Sequence, residues 1–354
     1  MRILLMSCAF SAFLNSVICQ PSSASSSQRH SRPKSEIIKP ELVLELRGFT
    51  EVLFWRKGQL FFADTYAYKL CSYHEDSRNT YCATLEAGLL SFAVPVKGHY
   101  DLFVVGLNKK ILLITWNSFA DKIHPSSIVL KTVDATIPGN RLNCGTVDNL
   151  GRLVFGSTNI NGNPLANVSS LSYDLDVATC VNNVVSSVGI VLITHTTFSP
   201  KAFVIDSKTN YNIDAYIYHP TPGKFGTKSV VFNWPQQRRM GHPRRLTVDK
   251  NGHLWVPIYE GGGVIQVDPR IEKVIDFFPI PAARVGACIF GGLNSDILYV
   301  STIGYGHELF QGIIHPNDKG GSIFALRGLG VQGWPEKEYK LKNVFVKQIR
   351  GMHS

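Results

Sequence analysis

One unit returns six times along this chain, and that recurrence limits the fold more than any other feature. The unit is a short strand-forming run, a turn marked by glycine or proline, a stronger run, a second turn and a third run. It begins at Glu51 (EVLFWRKGQLFFADTYAYKLCSY), Ser91 (SFAVPVKGHYDLFVVGLNKKILLITW) and Asn143 (NCGTVDNLGRLVFGSTN, continuing to SSLSYDL). It begins again at Thr194 (THTTFSPKAFVIDSKTNYNIDAYIYHP), His242 (HPRRLTVDKNGHLWVPIYEGGGVIQVDP) and Ala287 (ACIFGGLNSDILYVST, continuing to GGSIFALRG). Successive starts lie 40 to 52 residues apart, the spacing of propeller blades with about four strands each. Helical 3.6-residue periodicity is nowhere sustained. The expectation is an all-β protein, a six-bladed β-propeller over residues 41–335. Glu41–Arg47 (ELVLELR) is the expected closing strand, which completes the last blade and removes its open edge.

The two ends read differently. Residues 1–19 (MRILLMSCAFSAFLNSVIC) carry Arg2 and then an apolar run too short to span a membrane, the pattern of a secretory signal peptide. The protein is therefore expected to be secreted and to have no membrane span. Residues 20–40, serine-rich with Arg29, Arg32 and Lys34, read as a disordered leader, and residues 336–354 as a basic C-terminal tail. The formal net charge is +10, but no aromatic–basic interleaving accompanies it, so solvated basic ends are expected rather than nucleic-acid binding. Five of the seven cysteines lie beyond the leader: Cys71, Cys82, Cys144, Cys180 and Cys288. Cys71 and Cys82 sit in neighbouring strand-like runs and suit a hairpin disulfide, and the odd number left implies at least one buried free thiol. Asn167-Val168-Ser169 is a glycan acceptor sequon if the chain is exported.

Several segments in the same order resemble the senescence marker protein/regucalcin/gluconolactonase family. They are NRLNCGTVDNLGRLVFGS, TVDKNGHLWVPIYEGGGVIQVDP, CIFGGLNSDILYVST and GSIFALRGLGVQG, and the resemblance runs from about Glu51 to Gly333. It implies a six-bladed propeller with one divalent cation at its centre, where sugar lactones are hydrolysed. In that family a glutamate of the first blade, an asparagine starting the fourth and an aspartate starting the fifth hold the cation. The aspartate also serves as base, and an arginine and an asparagine of the third blade hold the substrate. Carried over by resemblance, Glu51 is the one retained cation ligand and Arg141 and Asn143 are the substrate-holding pair. Cys144 stands where the family has an aspartate. The fourth-blade asparagine falls on Thr194, or with a different gap on Val188. The fifth-blade aspartate falls on Arg244, and the acidic residue expected before SSLSYDL is missing, with Pro164 nearest.

These departures have a chemical consequence. A guanidinium cannot ligate a cation, and an aspartate-to-arginine exchange shifts the site by two charge units, several kcal/mol against a divalent ion even at an effective dielectric of ~20. No metal or other cofactor is expected in the family's manner, nor is hydrolysis by its mechanism. Arg244 is expected to cross the channel and pair with Glu51, which would otherwise be a buried, uncompensated anion. The ligand-binding set is Glu51, Arg141, Asn143, Thr194 and Arg244, with no catalytic residue. A small molecule is the expected partner, and QQRRMGHPRR (Gln236–Arg245) together with Arg141 favours an anion. Two alternatives stand beside this. One is a metal-dependent lactone or ester hydrolase with a rearranged calcium or zinc site, for which His195, His242 and Glu51 would be a zinc set. The other is a protein-interaction module. Cys144 is expected to be a packed thiol and the five tryptophans to pack between blades.

Overall fold

The strand runs of the repeat form six antiparallel sheets in a computed structural model, which describes residues 38–194, 199–305 and 315–352. The first blade is Thr50–Arg56, Gln59–Asp64, Lys69–His74 and Thr80–Thr84, with Lys122–Ile123 added in parallel at its edge. The second is Leu90–Pro95, Leu102–Leu107, Lys110–Thr115 and Ser127–Thr132, and the third Asn140–Val147, Leu153–Asn159, Ala166–Leu171 and Val177–Val184. The fourth runs Ser187–Ile193, Lys201–Asp206, Ile213–His219 and Lys224–Phe232. Its first strand thus precedes Thr194, so this blade begins one strand ahead of the repeat seen in the sequence. In the fifth blade the first strand is split into His242–Pro243 and Thr247–Val248, followed by Leu254–Tyr259, Gly263–Asp268 and Lys273–Pro279. The sixth comprises Val285–Gly291, Ile297–Thr302 and Ile323–Leu326. Glu41–Leu44 completes it, pairing Glu41 with Ala325 and Leu44 with Ile323. The first and last strands therefore share one sheet, and the ring closes.

Burial follows from that geometry. A strand deep in a blade is covered on both faces by neighbouring blades, so Leu102–Leu107 (LFVVGL) is buried at every residue, whereas the outermost Lys273–Pro279 is mostly exposed. The core is accordingly divided into slabs between adjacent blades. Phe54 and Phe61 meet Phe103 and Trp116 between the first and second blades, and Phe92 meets Leu142 and Phe155 between the second and third. Trp255 packs on Phe290 between the fifth and sixth, and Trp55 stacks on Tyr299 at 5.2 Å between the first and sixth. Trp55, Trp116 and Trp255 thus pack between blades.

Cys71 and Cys82 face each other on adjacent strands and form a disulfide. Cys144 and Cys288 are buried free thiols, and Cys180 is half-buried. Because the disulfide closes a short loop, the C71S/C82S variant should lose about 2–3 kcal/mol in denaturant unfolding; no loss would show that the first blade alone fixes the hairpin. Asn167 is half-buried in the third blade, its backbone N–H donating to Ser157 Oγ and its carbonyl accepting from the same hydroxyl.

The C-terminal residues are packed, not a solvated tail. Asp249 bridges to Gly333, Tyr339 is fully buried with its hydroxyl donating to the Ser172 carbonyl, and Lys340 N–H donates to Gly151 O. A helix over Asn343–Gly351 buries Ile349, and Arg350 forms a bidentate pair with Asp101 at 2.5 and 2.6 Å. Sequence reasoning missed this because the basic residues are interleaved with the apolar ones; the packed apolar residues are Tyr339, Leu341, Phe345, Val346 and Ile349.

Candidate functional site at the centre of the ring

A backbone irregularity repeated around the ring builds the site. Near its start, the first strand of each of five blades carries one residue more than its partner: Glu51, Ser91, Asn143, Val188 and Gly286. In the fifth blade Pro243 pairs with Ile258 and Thr247 with Trp255, so the three residues Arg244 to Leu246 face the two residues Val256 and Pro257. Such bulges add twist and re-aim the extra side chain. At this one the chain turns from its own blade to the next: Arg244 N–H donates to Pro257 O, Arg245 N–H to Gly286 O, and Arg245 O accepts from Cys288 N–H. Gly286 lets the blades approach closely, since a Cβ there would lie 3.2 Å from Glu51 Cγ and 3.1 Å from Ile303, tighter than ordinary contact.

Both arginines turn inward to Glu51. Arg245 does so with the better geometry. Its Nη2 donates to Glu51 Oε2 at 3.2 Å and to Asn143 O at 2.7 Å, and its Nη1 donates to Ser91 O at 2.7 Å. One guanidinium from the fifth blade is thereby tied to the first, second and third. Arg244 Nη1 lies 3.5 Å from Glu51 Oε1, and its guanidinium carbon is 4.6 Å from the centre of the Tyr259 ring. That contact is an ion pair without a hydrogen bond, because Glu51 Oε1 and Arg244 Nε have no hydrogen-bond partner among the described residues. The side chains are 7% (Glu51), 17% (Arg244) and 14% (Arg245) exposed, so solvent screens them little. Burial pushes the Glu51 carboxyl up, but Arg244, Arg245 and Arg141 outweigh it and hold the group below its usual range. It is a permanent anion near neutral pH.

Of the five residues read from the sequence, four are brought together. Glu51, Asn143 and Arg244 meet at the bulge layer, and Arg141 acts on Glu51 from the third blade, with its Nη1 donating to Leu142 O and its Nε without a partner among the described residues. Thr194 is not brought there. It follows the far end of its strand, where its hydroxyl accepts from Lys337 Nζ at 3.1 Å and its carbonyl accepts from Asn149 at 3.5 Å. The bulge register puts Val188 in the position corresponding to Glu51. Arg245 ends the QQRRMGHPRR stretch read from the sequence as favouring an anion, but it was not among the site residues expected there. Arg238 and Arg239 are exposed, so only half of QQRRMGHPRR faces the channel.

The other sequence candidates occupy different roles. His242 stacks on Tyr211 at 4.3 Å and lies 5.0 Å from Tyr259. Burial, then the charge of Arg244, lower its pKa to about 4, so it stays neutral in neutral solution. His195 lies outside the described residues. Cys144 is hydrogen-bonded to Ser187, and burial pushes its thiol up, the opposite of an activated nucleophile. Beneath Arg245 lies a cavity of about 90 Å³, lined by Glu51, Arg245, Cys144, Thr146, Cys288 and, at its far end, Glu336.

These donors do not fit a divalent cation. Glu51 would have to share the centre with two guanidiniums, and Val188 offers no oxygen where the family's asparagine would stand. Among the described residues no group of three His, Cys, Asp or Glu side chains stands close enough to hold a metal.

The class is thus a closed six-bladed propeller with a cluster of charged side chains at one end of its central channel. The chain belongs to the SMP-30/gluconolactonase/LRE-like family, whose description matches residues 49–304. It is 29% identical to Sus scrofa regucalcin over 288 residues, covering 80% of this chain and 91% of that one. Against Homo sapiens regucalcin the identity is 28%, covering 78% and 89%. A solved luciferin-regenerating enzyme superposes with a TM-score of 0.79 at 26% identity, covering 86% of this chain and all of that one. A calcium-binding regucalcin from Agrobacterium tumefaciens superposes at 0.74 with 17% identity over 86% and 98%, a likeness of fold.

Proposed function

We propose that this propeller is a secreted, non-catalytic protein that binds a small anionic molecule at the end of the channel bearing Arg141 and Arg244. The observation that carries this is a charge imbalance inside the fold. Three guanidiniums (Arg141, Arg244, Arg245) act on the single carboxylate of Glu51, three positive charges against one negative. Two of the three keep a buried Nε–H donor without a partner among the described residues. Buried donors and excess charge are costly when unmatched, and an anion satisfies both at once. Arg245 is already committed to three acceptors, which leaves Arg141 and Arg244 for the ligand. Neutral His242 and the Tyr259 ring flank Arg244 and give the site an apolar wall. A base and a metal, the parts that resemblance assigns to lactone hydrolysis, have no counterpart in this donor set.

Export rests on the apolar segment 1–19, and the Cys71–Cys82 disulfide suits that compartment. The binding reading is tested by thermal unfolding of the protein in a panel of small carboxylates, sulfonates and phosphates. At least one anion should raise the melting temperature by several degrees, since a ligand at 100 times its Kd stabilises by about 2.7 kcal/mol. The shift should shrink with added salt and vanish in R141Q/R244Q. No shift with any anion, or the same shift in that variant, would defeat it.

A further inference from the structure

We infer that Glu336 is a pH-dependent latch on the C-terminal strap, which closes the far mouth of the channel more tightly in acid than in alkali. The strap crosses the mouth opposite Arg245. Tyr339 N–H donates to Pro95 O at the end of the second blade's first strand, and Lys337 Nζ donates to Leu192 O and Thr194 Oγ1 at the end of the fourth's. Between these attachments Glu336 lines the floor of the 90 Å³ cavity. Glu336 is half-buried, and the space beside it holds only a few waters, too few to solvate a carboxylate as bulk water does. Few charges are placed to compensate an ionised Glu336. Lys337, on its own strand, is directed at Thr194 and Leu192 O and sees Asp148. Across the cavity stand Arg245, already hydrogen-bonded to Glu51, Asn143 O and Ser91 O, then Glu51 itself and the thiols of Cys144 and Cys288. The rest of the strap is fastened elsewhere, Glu338 to Arg56, Lys342 to Asp174 and Arg350 to Asp101.

Burial, only partly offset by Lys337, raises the Glu336 carboxyl to about 7. A carboxyl whose folded pKa lies above its ordinary 4.5 gives stability that is complete below about 4.5. That stability is lost as pH rises to about 7, and the level is constant beyond. The consequence is local, because the strap can loosen without opening the ring.

Hydrogen–deuterium exchange of the full chain, corrected for the intrinsic pH dependence of exchange, reads it directly. Protection of amides 337–350, relative to Leu102–Leu107 of the second blade, should fall at least ~10-fold between pH 5 and pH 8, each pKa unit being a factor of ten. In Glu336→Gln, which keeps shape and loses the charge, the strap should be equally protected at both pH values. If that variant does not fold, Glu336→Met serves the same purpose. A strap whose protection is independent of pH in the parent protein, or one that keeps its pH dependence in the variant, overturns the assignment.

Discussion

Replacing Arg245 with alanine is expected to destabilise the propeller by about 3–5 kcal/mol in denaturant unfolding. The side chain is 14% exposed and makes three hydrogen bonds, to Glu51 Oε2, Ser91 O and Asn143 O, and so ties the fifth blade to three others. Its loss leaves Glu51 buried without a hydrogen-bonded cation, with Arg244 at 3.5 Å and Arg141 acting through charge alone, and leaves two carbonyls without this donor. The cost comes mainly from stranding those acceptors rather than from the intrinsic worth of an ion pair, so a matched change separates the two. R245M/E51Q removes both charges together and should be more stable than R245A by about 2 kcal/mol or more. Arg244→Ala should cost about 1–2 kcal/mol, since its pairing lacks hydrogen-bond geometry. A loss below 1 kcal/mol for R245A would mean that the centre of the ring does not depend on this guanidinium.

The architecture was legible because it repeats. Strand runs separated by glycine and proline turns recur six times, so an error at one copy is outvoted by the other five, and even the closing strand at Glu41 was readable. The fourth blade shows where that reading stops. Its first strand, SVGIVLI, lies before the recognisable THTTFSP segment, and the unit was started one strand late. The site was legible in chemistry more than in position. That a guanidinium faces Glu51 followed from the resemblance, which sets Arg244 at the family's aspartate, and from the cost of a buried uncompensated anion, but the part of neighbouring Arg245 was not expected. A bulge, which no periodicity reveals, brings both inward. The same bulge register decides between Val188 and Thr194, six residues apart. The C-terminal strap was hidden by its charges, several of which are paired in the fold: Lys337 with Thr194, Lys342 with Asp174 and Arg350 with Asp101.

If the exchanged side chains are what excludes a cation, restoring them should readmit one. The variant V188N/R244D/R245G places an amide and a carboxylate beside Glu51 and removes the guanidinium that crosses the channel. Calcium should then bind with a Kd at or below about 1 mM, the weak end of calcium sites built from oxygen donors. The same change should lower stability in metal-free buffer, because two carboxylates now face each other, and calcium should recover it. Failure to bind calcium in a variant shown to be folded would mean that the ring has changed shape as well as ligands.

The most direct measurement of the central claim is a calorimetric titration of the unaltered, purified protein with calcium and with zinc, paired with elemental analysis of the protein as isolated. Glu51 already neutralised by Arg245 and Arg244 predicts no saturable heat with either ion and far less than one equivalent of metal. One equivalent bound, and lost in Glu51→Gln, would contradict it.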